Sequence, residues 1–93
     1  MIFVVTYRYD PAAQATLAEL RPSHRQFLTG LHEAGTLIAS GPWVGEEAGA
    51  YLILRAASGP EALDALNDDP FHGAGLIAER SARGWDPVIG SLT

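Results

Sequence analysis

Sequence patterns in the order β-α-β-β-α-β predict an α+β fold: a four-stranded antiparallel sheet with two helices on one face, the ferredoxin-like plait. Three observations carry that expectation. The first stretch, residues 2–9, is a strand pattern; a hairpin centred beyond Gly41-Pro42 divides the chain; and Ser58-Gly-Pro-Glu61 opens a helix that leads to a last strand. With 93 residues, 47% of them hydrophobic, the composition is globular and fits a single domain over 1–93.

Residues 2–9 read Ile-Phe-Val-Val-Thr-Tyr-Arg-Tyr, β-branched and aromatic on both alternations, as in a central strand covered on both faces. Asp10-Pro11 ends it. Residues 12–20, rich in Ala and Leu, fit a short helix or an ordered loop. A residue before proline avoids the α region, so the first long helix is expected to start at Pro22 rather than pass through it. Phe27, Leu28, Leu31 and Ala34 keep helical spacing up to Gly35, which supplies a stop. Thr36–Ser40 reads as a short strand ended by Gly41-Pro42, and a third strand lies near Ala50–Ala57. Ser58 to Glu61 is a capping box with proline in the first turn, and the helix 60–68 buries Ala62, Leu63 and Leu66. Asp68-Asp69-Pro70 closes that helix, and Phe71–Ile77 leads to a last strand within Ala78–Ile89.

Both helices on one face leave the other face of the sheet bare. Yet the first and third strands carry apolar side chains on both alternations: Ile2 and Val4 against Phe3 and Val5, Leu52 and Leu54 against Tyr51 and Ile53. Soluble monomers rarely expose large apolar patches, so a homodimer through the sheet faces is expected. Its absent cysteines remove disulfides, zinc-thiolate sites and a Cys nucleophile. A formal net charge of −5, with the basic residues dispersed, speaks against nucleic acid as a partner. No apolar run is long enough for a membrane span, and the N-terminus lacks the basic start of a signal peptide, so a cytoplasmic protein is expected.

His24 lies one helical turn before Phe27 and Leu28, on the inward stripe of the first helix, where an ionisable ring is either a satisfied core residue or a site residue. Arg21, three positions earlier, can pair with a surface carboxylate or hold an anionic group. Asp69, placed at a helix C-terminus, opposes the helix dipole and asks for a reason; Asx-Pro turn chemistry is the plain one. Phe71 fills the core at the helix exit, and His72 can border the same cleft. His24 and His32, eight residues apart on a helix, are too far apart to share a metal. No nucleophile elbow surrounds Ser40, and no phosphate loop follows Gly41, Gly45 and Gly49. Trp43 and Trp85 suit core or interface packing better than a pocket for a flat substrate.

The pattern Arg21-Pro-Ser-His24, then Leu31, Gly35-Thr-Leu-Ile-Ala-Ser-Gly41-Pro42, and later Asp69-Pro70-Phe71, resembles the YciI (YCII-related) family from the first strand to Pro87. The resemblance implies a plait that dimerises through its sheets as a dimeric α+β barrel, with structural similarity to muconolactone isomerases. It implies a catalytic pair of His24 and Asp69, with Ser40 and Gly41 at the cleft wall. The loop between Trp43 and Ala50 is shorter than the family's, which would open the cleft.

Two function classes remain. In the first, the protein is an enzyme without cofactor or metal, in which His24 moves a proton, Asp69 orients it, and Arg21, Ser40, Gly41, Phe71 and His72 contact substrate. Isomerisation or elimination on a small oxygenated ring or lactone would follow. In the second, it is a non-catalytic ligand-binding or accessory dimer that keeps the cleft alone.

Overall fold

A computed structural model, describing residues 1–92, has the expected α+β architecture. Strands β1 (Ile2–Tyr9), β2 (Leu37–Pro42), β3 (Gly49–Arg55) and β4 (Ile77–Trp85) form one antiparallel sheet in the order β2-β3-β1-β4. Helix α1 (Gln14–Glu33) makes the first crossover; α2 (Gly59–Asp64) and the short α3 (Pro70–Gly73) make the second. Strand β1 is central, paired with β3 on one side and β4 on the other, as its apolar alternation demands.

Phe3, Val5, Tyr7 and Tyr9 of β1 and Ala50, Leu52 and Leu54 of β3 point to the helix layer, where they meet Leu17 and Leu28 of α1, Ala62 and Leu66. The opposite face presents Ile2, Val4, Tyr51, Ile53 and Trp85, with Tyr51 and Trp85 about half exposed. Among the described residues no helix is long and apolar enough to cross a membrane.

Three boundaries differ from the sequence expectation. Helix α1 runs through Pro22 instead of starting there. A proline inside a helix forfeits one backbone hydrogen bond and crowds the preceding turn. Burial of Leu17 before it, and of His24 and Leu28 after it, keeps the helix continuous across the sequence signal. The helix then ends as expected: Gly35 takes φ 85°, and the Thr36 N–H donates to the Leu31 carbonyl at 3.0 Å.

Strand β2 continues through Gly41-Pro42, because Pro42 lies on an edge strand where its missing N–H costs little. The second helix stops at Asp64 rather than 68, and Ser58 caps it, with Ser58 Oγ accepting from the Glu61 N–H at 3.2 Å. Asp69 therefore does not close a helix. It opens one, as the N-cap of α3, and the expected conflict with the helix dipole is absent.

Candidate active site

Tripeptide Asp69-Pro70-Phe71 folds as its residue types dictate. Pro70 occupies the first helical position, where its missing N–H is no loss, and Asp69 Oδ1 accepts from the Phe71 N–H at 3.0 Å. That turn drives Phe71 into the core and leaves the carboxylate buried beneath α1, with no exposed surface.

A buried carboxylate needs donors, and Asp69 has three. His24 Nδ1 lies 2.8 Å from Oδ1, and the Tyr7 hydroxyl donates to Oδ2 at 3.0 Å. Because the carboxylate accepts, the neutral form of the His24 ring places its proton on Nδ1, which leaves the lone pair on Nε2. No described residue hydrogen-bonds to Nε2. The Phe71 ring lies flat against the imidazole, with centroids 3.9 Å apart and planes within 8°. Tyr9 closes the cluster, edge-on to Phe71 at 5.5 Å.

Two tyrosines are held far from their ordinary ionisation. Burial, then the neighbouring Asp69 carboxylate, raises the Tyr7 phenol beyond the usual range, so it stays a donor. Tyr9 is pushed up to about 12, by burial first and Asp69 second, while the Arg21 charge works in the opposite direction.

The imidazole forms part of the wall of a cavity of about 510 Å³ between α1 and β2. Leu28, Leu37, Leu52 and Phe71 give it an apolar floor, and Arg21, Arg25, Thr29, His32 and Ser40 a polar rim. Ser40 faces this cavity because of a one-residue slip. Leu37 pairs with Leu54 but Ala39 with Ile53, so the bulge at Ile38 brings Ser40 beside inward-facing Leu52.

Of the residues singled out in the sequence, His24 and Asp69 meet directly, and Arg21, Ser40, Gly41 and Phe71 join His24 on the cavity wall. His72 does not line the cavity; it lies in the last turn of α3, beyond Phe71. Neither tryptophan lines it. Trp43 sits over Gly49 beside Tyr51, and Trp85 lies on the open face opposite Ile2. Tyr7 was missed, since an inward tyrosine on a central strand reads as core. The cavity-lining Arg25 and His32 were also missed.

5-Chloro-2-hydroxyhydroquinone dehydrochlorinase from Burkholderia phenoliruptrix, solved in complex with 2,5-dihydroxybenzoquinone, has the same fold, with a TM-score of 0.80. It is 24% identical in sequence, and the match covers 92% of this chain and 94% of that one. No curated protein matches the sequence. The family model described as the YCII-related domain matches residues 1–86, which takes in all four strands, Arg21 to His24 and Asp69 to Phe71. By that match over nearly its whole length, the chain belongs to the YCII-related domain family.

Proposed function

We propose that this protein is a small-molecule enzyme whose His24–Asp69 pair abstracts a proton from a flat, oxygenated ring, with isomerisation or elimination following. One observation carries the proposal: an imidazole fixed by a buried carboxylate through Nδ1, with Nε2 unclaimed, on the wall of a cavity the size of one small ligand. Nε2 takes the proton, and the bonding electron pair stays on the substrate. Asp69 stays hydrogen-bonded to Nδ1 and the Phe71 ring lies against the imidazole as it takes the proton. The pair then either re-forms a bond to the proton at another atom, an isomerisation, or expels a leaving group, an elimination. Tyr7 and the Phe71 N–H fix the carboxylate while its partner changes charge. No step asks for a metal or cofactor.

The solved relative supports the choice of ring chemistry, since that enzyme is named for a dehydrochlorination and was solved with a dihydroxylated quinone. Arg21, Ser40, Gly41 and Phe71 are proposed as substrate contacts, and the open apolar sheet face as the seat of a homodimer.

Ring C–H exchange tests the chemistry without knowledge of the natural substrate. In D2O, the wild-type protein should accelerate deuterium uptake into 2,5-dihydroxybenzoquinone, followed by NMR. His24→Asn is the informative variant, because the asparagine amide can still donate to Asp69 but cannot take a proton. It should lower the rate on the order of 10²–10⁴-fold. Equal exchange by the wild-type and His24→Asn proteins would leave only a ligand-binding role.

A further inference from the structure

Proton abstraction leaves negative charge on the substrate, and the charges around the cavity are suited to hold it. The chain as a whole is acidic, with eleven carboxylate side chains against six arginines. Yet among the described residues that line the cavity there is no Asp or Glu, while Arg21 and Arg25 both line it. They lie on one side of α1, one turn apart, and His24 lies between them in sequence. This distribution is opposite to the one that net charge alone would produce.

The two arginines also differ from most of the others in having nothing to hold. Arg8 pairs with Glu47, Arg55 donates to the Gly35 carbonyl, and Arg80 donates to the Leu63 carbonyl and Asn67. Neither Arg21 nor Arg25 has a hydrogen-bond or ion-pair partner among the described residues. At Tyr9, another residue of the cavity wall, burial and then the Asp69 carboxylate oppose proton loss, while the Arg21 charge works in the other direction.

In the same cavity, Leu28, Leu52 and Phe71 give an apolar surface, and Ser40 and Thr29 join the two arginines in a polar one. A flat ring satisfies the first surface and an oxyanion the second. Guanidinium binds planar oxyanions through paired N–H donors, a geometry that an amide or neutral phenol does not match.

We infer that the cavity selects flat rings that already carry an anionic oxygen, a carboxylate, phenolate or enolate, and that Arg21 and Arg25 hold that charge. The inference rests on the cavity being the substrate site, as proposed above, but not on His24 acting as a base. It makes Arg25 a specificity-determining residue, and it gives the electron pair released by proton abstraction a place to be stabilised.

The test compares two ligands of one shape and different charge, benzoate and benzamide, titrated into the full-length ¹⁵N-labelled protein. Benzoate should shift the amides of residues 23–29 and 38–41 and bind at least tenfold tighter than benzamide. Raising the salt concentration should weaken benzoate alone. The double variant Arg21→Gln/Arg25→Gln keeps good helix formers on an exposed surface, and should bring benzoate to the level of benzamide. The titration reads binding without turnover, so a failure of the proton-transfer reading leaves this result standing. Equal affinities, a preference that survives the double variant, or benzoate shifts confined to the open face around Tyr51 and Trp85 would overturn the inference. So would the absence of any benzoate-dependent shift.

Discussion

A carboxylate without solvent contact must find its hydrogen bonds inside the protein, and the donors chosen for Asp69 determine what its neighbours can do. Tyr7 is the donor that keeps the site in order. Phenylalanine in its place would leave Oδ2 buried without a partner, at a cost of about 1–3 kcal/mol at neutral pH. Tyr7 and Tyr9 also couple the stability of the fold to alkaline pH. An unfolded tyrosine ionises near pH 10, whereas in the folded protein Tyr9 holds its proton to about 12 and Tyr7 beyond it. Between those limits the unfolded state binds fewer protons, so stability is full below pH 10 and falls above it, by up to about 1.4 kcal/mol per pH unit for each phenol. Denaturant titrations at pH 8, 10 and 11 should show this slope, and Tyr7→Phe should start lower and fall less steeply. An unchanged slope would mean that Tyr7 ionises as readily in the native state. His24 and Asp69 draw notice in the sequence, as an ionisable residue on an apolar stripe and an Asp before proline, but only the family resemblance brings them together as a pair. Tyr7 draws none, since its hydroxyl has meaning only once Asp69 lies above it.

At the scale of elements, strand periodicity located β1 to the residue, because side chains on both faces of a central strand leave an unbroken pattern. Helix α1 was harder. Local proline sterics argued for a break at Pro22, and burial on both sides of it prevailed. The Ile38 bulge is a further limit: nothing in Thr36–Ser40 marks a slip, though the slip alone turns Ser40 toward the cavity. Gly49 shows how tightly the β2–β3 hairpin is built. A methyl group there would come within 2.6 Å of both the Trp43 ring and the Tyr7 carbonyl oxygen. Gly49→Ala should therefore destabilise the protein by about 1–3 kcal/mol in urea denaturation. Trp43→Ala should relieve only part of the cost in the double variant, because the Tyr7 carbonyl belongs to the central strand and cannot move aside. Full rescue by Trp43→Ala would assign the whole clash to the indole.

At the scale of the whole molecule, the two faces of the sheet have different fates. One is sealed by helices and holds the ordered network; the other carries Ile2, Val4, Tyr51, Ile53 and Trp85 with no helix over them. A groove of about 410 Å³ crosses this face between Tyr51 and Trp85, with Val4 and Ile53 at its base. In a domain of this size, where burial is limited by surface-to-volume scaling, leaving so much apolar area in water forgoes a substantial part of the attainable stability. Packing the same face of a second copy against it, sheet on sheet about a two-fold axis, recovers that area without a new sequence. The proposed homodimer should appear in light scattering at micromolar concentration as twice the 9.9 kDa chain mass. Tyr51→Glu provides the decisive contrast. The residue is 54% exposed in the single chain, so the fold should tolerate the charge, while two glutamates facing each other across the interface should not. The variant should remain folded by circular dichroism and scatter as a single chain. A wild-type protein that already scatters as one chain would refute the dimer, and would require the open face to stay in water without a partner.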